Sequence, residues 1–79
     1  MSDIIREYGR IERNASEELR IARKTFVGRN HLDLRIYARN RKGEWVPTRK
    51  GCTVMEEDIP QFLAIIAKVS AEFQEDEVQ

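Results

Sequence analysis

Between residues 19 and 39 the apolar side chains tend to recur at every second position, whereas from residue 59 onward they recur at every third or fourth. No single element satisfies both periods. Alternation by two puts the apolar set on one face of a half-buried strand, and spacing by three and four puts it on one face of a helix. A chain that carries the first pattern and then the second has to lay a helix beside a small antiparallel sheet, which is an α+β architecture.

The strand pattern is clearest over residues 32–39. Leu32, Leu34, Ile36 and Ala38 fall on one face, and Asp33, Arg35, Tyr37 and Arg39 on the other. Over residues 19–26, Leu19, Ile21 and Thr25 share a face that Arg23 interrupts, opposite Arg20, Ala22, Lys24 and Phe26. Gly28, Arg29 and Asn30 read as the hairpin connection, since Gly and Asn tolerate positive φ. Asn40-Arg41-Lys42-Gly43 has the composition of a type I turn. A third, short strand is expected from Glu44, at an edge or broken by a bulge because Pro47 has no amide hydrogen. Gly51 is expected to mark a second change of direction, and Cys52, Thr53 and Val54 to make a brief fourth strand.

Ile59, Phe62, Leu63, Ile66, Val69 and Phe73 then line one face of an amphipathic helix. Its start is expected between residues 54 and 59, with Thr53 and Glu56 as a capping box or Asp58 as a competing cap that leaves Pro60 in the first turn. The tail from Glu75 is acidic and is expected to fray. At the other end, Ile4, Ile5, Tyr8 and Ile11 have helical spacing and predict a short helix over residues 3–13, although Gly9, Asn14 and Ser16 oppose a long one. The expected fold is a four-stranded antiparallel β-sheet followed by a C-terminal amphipathic helix (ββββα), with that short N-terminal helix. Residues 1–16 would form an N-terminal segment, 17–74 the domain proper and 75–79 an acidic tail.

With 79 residues there is room for one domain, and at that size only ~60% of the unfolded chain's surface is buried on folding. Ile65 and Ala67 widen the helix stripe beyond what one small sheet covers, so part of the helix is expected to pack against a second copy. Ile59, Phe62, Leu63, Ile66 and Val69 are the candidate dimer interface. A single cysteine cannot bridge internally, a single histidine does not make a structural zinc site, and there is no apolar run of about 18 residues. The expectation is a cytoplasmic homodimer without membrane, metal or cofactor.

Fourteen basic residues balance fourteen acidic ones, but the zero sum conceals three blocks. Residues 1–19 hold three cations against five carboxylates, net −2; residues 20–50 hold ten against two, net +8; the remainder holds one against seven, net −6. The basic block coincides with the strands. Overall neutrality therefore does not exclude a polyanionic partner.

Catalysis has little support. His31 sits beside a hairpin with no nucleophile placed to pair with it, Cys52 reads as a small core hydrophobe, and Gly43 and Gly51 flank Arg49-Lys50 without the glycine run and following helix of a phosphate loop. A non-enzymatic role is expected. Binding fits better: if Leu32, Leu34 and Ile36 face the helix, then Arg35, Tyr37 and Arg39 face away from it, and Arg20, Lys24 and Phe26 join them from the neighbouring strand. Cations for phosphates beside flat rings for unpaired bases make a single-strand platform, with stacking worth ~1–3 kcal/mol per base. Trp45 either adds to that platform or lies in the core or the dimer interface.

From residue 28 to 54, and above all in LDLRIYARNRKGEWVPTRKGCTV, the sequence resembles the DNA-binding domain of the positive cofactor four family of transcriptional coactivators. The carrying pieces are Asp33-Leu34-Arg35, Gly43-Glu44 and Pro47-Thr48-Arg49-Lys50-Gly51, and the resemblance spans residues 18–73. It implies the same four strands and helix, dimerisation through the helices, and single-stranded DNA along the strands. Phe26 matches a base-stacking aromatic, Arg29, Arg35, Arg49 and Lys50 match cations that contact the nucleic-acid backbone, and Lys24 matches a basic strand position. A second stacking tryptophan of the family is replaced here by Ala38, leaving Tyr37 or Trp45 to compensate. Residues 1–16 do not match the family's Ser- and Lys-rich regulatory arm, so a stand-alone, bacterial-type version is expected, nucleoid-associated if bacterial. The leading expectation is single-stranded DNA binding with little sequence preference in transcription regulation, with RNA as an alternative ligand; a partner in the transcription machinery is left open. The competing expectation is a protein-interaction module whose basic face docks an acidic partner.

Overall fold

The computed structural model describes residues 3–78, and the side chains of residues 4–75. Four strands, β1 (Asp3–Asn14), β2 (Glu17–Phe26), β3 (Arg29–Arg39) and β4 (Trp45–Met55), are followed by a 3-10 turn, Glu56–Asp58, and a helix, α1 (Ile59–Val78). The strands form one antiparallel sheet in the order β1-β2-β3-β4. The ββββα architecture is as the two periods require, but two of its strands are not the ones that alternation identifies.

Residues 3–14 are a strand and not a short helix. Their ladder with β2 is interrupted by register shifts between Ile4 and Arg6, Glu7 and Gly9, and Glu12 and Asn14. Each bulge inserts an extra residue, so side chains three apart can recur along a strand and imitate helical spacing. Asn14 and Ser16, which oppose a helix, instead build the β1–β2 turn: the Ser16 amide donates to Asn14 Oδ1 at 2.9 Å and its hydroxyl donates to the same atom at 3.0 Å.

The stretch expected as two short strands, from Glu44 and at Cys52–Val54, is the single edge strand β4. Tyr37 pairs with Pro47 and Arg35 with Gly51, so four residues of β4 advance against two of β3 and the segment between bulges outward. Thr48 pins the bulge, its hydroxyl donating to the Ile36 carbonyl at 2.7 Å. Gly51 continues the strand and does not reverse it. A Cβ there would run into the Leu34 carbonyl and the Arg35 backbone, so only glycine allows the bulged strand to rejoin β3 this closely. Pro47 lies in an edge strand, where its missing donor is tolerated.

The β2–β3 hairpin turns one position earlier than expected, through Val27 (φ 52°) and Gly28 (φ 74°), with Arg29 already paired to Phe26. The β3–β4 turn is the expected one: the Gly43 amide donates to the Asn40 carbonyl at 3.0 Å, and Asn40 Oδ1 accepts the amides of Lys42 and Glu44. The helix starts at Ile59 with Pro60 in its first turn. The Thr53–Glu56 capping box does not form, because Thr53 is still in the strand and the 3-10 turn begins after Met55 without a side-chain cap. The acidic end of the chain is helical to Val78 where fraying was expected.

Directly opposed residues of an antiparallel pair share a face, so the ladders sort the sheet into two. Leu19, Ile21, Leu32, Leu34 and Ile36 make an apolar face, toward which the start of α1 leans through Ile59. The other face is charged. Burial is distributed against expectation: the described residues that are buried, Ala22, Asp33 and Tyr37, all lie on the charged face, while the apolar face is only half-buried. Beyond Phe62 the described side chains of α1 are exposed.

Candidate nucleic-acid interface

The β2–β3 ladder opposes Arg20 to Arg35, Ala22 to Asp33, Lys24 to His31 and Phe26 to Arg29, and β3–β4 opposes Arg39 to Trp45. Arg20, Lys24, Phe26, Arg29, Arg35, Tyr37, Arg39 and Trp45 therefore share the charged face, with Arg49 and Lys50 on the bulge at its β4 edge. These side chains are not equally available.

At the centre Asp33, 3% exposed, accepts Arg35 Nη2 at 2.9 Å and Nε at 3.3 Å and lies 3.1 Å from Lys24 Nζ. Burial pushes the Asp33 carboxyl up, but the hydrogen bonds and charges of Arg35 and Lys24 outweigh it, and the group ends below the usual carboxylate range. The hydrogen bond to Asp33 likewise raises Arg35. Arg35 Nη1 also donates to the Thr48 carbonyl at 3.2 Å, which fastens the bulge to the sheet.

On the β1–β2 side, Arg20 lies over the Tyr37 ring, 4.0 Å from its centroid, and its Nε donates to Glu18 at 2.5 Å. Arg10 donates to Glu7 at 2.6 and 3.1 Å and approaches Glu18 at 3.6 Å. That hydrogen bond holds Glu7 below its ordinary value and Arg10 above its own. Tyr37 is 8% exposed beneath Arg20. It belongs to the foundation of the face and is not a platform a base can reach, so it does not stand in for the stacking residue missing at Ala38.

The β3–β4 side and the β2–β3 tip are open. Phe26 is 49% exposed. With Arg29, His31, Thr53 and Met55 it lines a groove of about 490 Å³. Arg29 also pairs with Glu57 at 3.0 Å, both side chains being exposed. Arg39 stands 6.0 Å from the Trp45 ring centroid. Arg49 is exposed, and Lys50 approaches Glu17 at 3.9 Å. The two accessible rings thus stand at opposite ends of the face, roughly 30 Å apart along β3. Among the described residues no cluster of three or more His, Cys, Asp or Glu side chains is placed to hold a metal ion.

Of the helix residues expected at a dimer contact, Ile59 and Phe62 are half-buried and Leu63, Ile66 and Val69 are exposed, in continuity with Phe73. Three groove residues, His31, Thr53 and Met55, are absent from the expected binding set. His31 lies in β3 and not in a loop, on the face that alternation from Asp33 and Arg35 would assign it. Thr53 and Met55 reach the same groove, but the two-residue slip at the bulge hides their register.

The family model of Transcriptional Coactivator p15 (PC4) matches residues 13–65. A PC4 homolog from Burkholderia pseudomallei is similar to this chain in two crystal forms. The orthorhombic form superposes with a TM-score of 0.75 at 26% identity, covering 86% of this chain and 92% of its own. The tetragonal form gives 0.73 at 26% identity over 82% and 96%. A bacteriophage T5 homolog of the eukaryotic coactivator PC4, implicated in recombination-dependent DNA replication, shares the fold with a TM-score of 0.67 at 20% identity, covering 94% of this chain and 80% of its own. No curated protein sequence matches the chain significantly.

Proposed function

The chain belongs to the transcriptional coactivator p15 (PC4) family, and from that premise we propose that it is a homodimeric single-stranded nucleic-acid-binding protein with little overall sequence preference, serving transcription or the handling of melted DNA. The observation that carries this reading is the half-exposed Phe26 ring on one face with Arg29, Arg35 and Arg39, beside the bulge cations Arg49 and Lys50. Bases inside a duplex cannot reach an exposed ring, and unpaired bases can. The cations would hold phosphates, while Arg20 and Lys24, committed to Glu18 and Asp33, would contribute more to positioning than to direct contact. No catalytic step is assigned to any residue.

Dimerisation is the second part of the proposal. It is supported by an apolar sheet face with no buried residue among the described ones and by a helix whose outer apolar row is exposed. A second copy supplies the matching surface.

Binding of a labelled oligonucleotide and of its duplex, compared across a salt titration, tests the first part. The single strand should bind more tightly, with log affinity falling against log salt at about −0.7 per phosphate neutralised. Equal or tighter duplex binding overturns the reading. Phe26→Ala should cost about 1–3 kcal/mol of single-strand affinity without changing the melting temperature. Light scattering at micromolar concentration tests the second part: the expected mass is twice the 9.3 kDa of one chain, and a monomer's mass refutes the dimer.

The burial of Tyr37 favours one competing reading, in which the basic face docks an acidic protein. A column of single-stranded DNA separates the two, since a protein-docking module would not be retained at moderate salt. RNA retention would extend the ligand class without changing the surface.

A further inference from the structure

The apolar face of the sheet carries two cations that take no part in the charged face. Arg6 opposes Arg23 across the β1–β2 ladder and Arg23 opposes Leu32 across β2–β3, so both guanidiniums stand beside the apolar row. Like charges directly opposite one another in a sheet are destabilising. No carboxylate offsets them: both side chains are exposed, and neither forms an ion pair or a side-chain hydrogen bond among the described residues. Arg6 lies over the Tyr8 ring, 5.2 Å from its centroid. Tyr8 and Arg23 line a cavity of about 150 Å³ together with Leu32, Glu56 and Ile59, which places the two cations where α1 begins.

The far end of the same helix has the opposite charge. Its exposed apolar row, Leu63, Ile66, Val69 and Phe73, is accompanied by Glu72 and Glu75, both exposed and neither in an ion pair among the described residues. Two copies that bury this row against each other about a two-fold axis set their helices either parallel or antiparallel. Parallel helices bring the two acidic ends together, with Lys68 as the one cation that α1 supplies. Antiparallel helices that cross at Ile66, midway between Ile59 and Phe73, bring Phe73 of each copy to Ile59 of the other. Glu72 and Glu75 then arrive beside the Arg6–Arg23 pair. The carbonyl end of the helix arrives with them, and it too favours cations.

We propose that Arg6 and Arg23 of each copy clamp the acidic end of the other copy's α1 through Glu72 and Glu75, with the two helices antiparallel. This rests on the dimer reading above and goes beyond it by naming the arrangement and the charged groups on both sides. Arg6, Glu72 and Glu75 lie outside residues 13–65, so the clamp is not a feature that the family match carries.

Dimer dissociation constants, measured on the full chain by sedimentation equilibrium over a dilution series, give the test. One surface ion pair is worth up to about fivefold, but the two-fold axis repeats each of them. Reversing both cations, in Arg6→Glu, Arg23→Glu, should therefore raise the dissociation constant about tenfold to a hundredfold, and Glu72→Lys, Glu75→Lys should do the same. An equal mixture of the two double variants should form a heterodimer about as tight as the unaltered dimer, because one clamp in it is native and the other fully reversed. Where either variant alone is too weakly dimeric to fold, recovery of a cooperative melt on mixing carries the test. Variants that dimerise as tightly as the unaltered chain overturn the clamp alone; if Arg6→Glu, Arg23→Glu then loses oligonucleotide affinity instead, the pair serves phosphates. Two weakened variants that do not rescue each other overturn the pairing of these groups. A monomeric unaltered chain at micromolar concentration overturns the dimer reading from which the clamp starts.

Discussion

The two faces of the sheet are built from the same two central strands, yet one is finished within the chain and the other is not. On the charged face Asp33, Ala22 and Tyr37 are buried, Asp33 is matched by two cations, and Arg20 closes over Tyr37. On the apolar face Leu19, Ile21, Leu32, Leu34 and Ile36 are only half-buried, and α1 leans toward them through its first residues alone. Fully burying one such aliphatic side chain contributes about 1.5–3 kcal/mol, and the net stability of a domain is only about 5–15 kcal/mol. Leaving this row half-covered is therefore a large omission for so short a chain. The difference teaches that polar order and apolar burial are separate tasks here: ion pairs shape the charged face within one chain, and a second copy is the proposed source of the missing core.

The largest expected effect tests the unfinished face. Ile66→Glu places a charge in the exposed helix row with Leu63 and Val69. If that row meets a second copy, the substitution should cost at least the about 2–5 kcal/mol of a large-to-small core change in each protomer. The expected result is a shift to monomer mass by light scattering with loss of the cooperative thermal transition. The unaltered protein should melt at a temperature that rises with its concentration, as a dimer's does. An Ile66→Glu protein with unchanged mass and melting temperature would erase the contrast between the faces.

Next in size is the finished face. Asp33→Asn removes the carboxylate and leaves Lys24 and Arg35 confronting each other around a neutral amide, at a cost of about 3 kcal/mol. The pH dependence follows from the lowered pKa of Asp33. A carboxylate whose folded pKa lies below its unfolded value of about 3.9 contributes stability that is present above that value and is lost as pH falls through the folded one. Denaturant melts should thus show stability dropping below about pH 4 in the unaltered protein, with a shallower drop in Asp33→Asn. The same variant should bind single strands more tightly, because two cations lose their internal partner. Unchanged stability would mean that the ion triad is not what orders this face.

Where local pattern and tertiary role coincide, the sequence is readable. β3 alternates cleanly, so both of its faces follow from residues 32–39 alone, and the helix stripe from Ile59 to Phe73 is equally plain. β1 is not readable in this way, because three bulges give a strand the spacing of a helix, and β4 is not, because the slip between Pro47 and Gly51 makes one strand resemble two. The binding set shows the same division. Alternation puts Arg20, Lys24, Phe26, Arg35, Tyr37 and Arg39 on one face, but it carries no information about which charges satisfy one another. The enclosure of Tyr37 beneath Arg20, and of Lys24 against Asp33, depends on contacts between strands that no single segment encodes.

The smallest expected effect separates cations that are free from cations that are committed, within the charged face itself. Arg49 is exposed on the bulge and forms no ion pair among the described residues, whereas Arg10 is held by Glu7 and Glu18. A cation that neutralises a phosphate releases a counterion, so Arg49→Gln should make the slope of log affinity against log salt shallower by about 0.7 for a single strand. A cation already neutralised by carboxylates releases few ions when a strand arrives, and Arg10→Gln should leave the slope within error. At moderate salt the affinity loss for Arg49→Gln is only about 0.5–1 kcal/mol, so the slope is the more sensitive readout. Equal slopes for the two variants would place phosphates across the whole face, with the acidic β1–β2 side rearranging to admit them. A change confined to Arg49→Gln would fix the path of the strand along the β3–β4 side, between the two accessible rings.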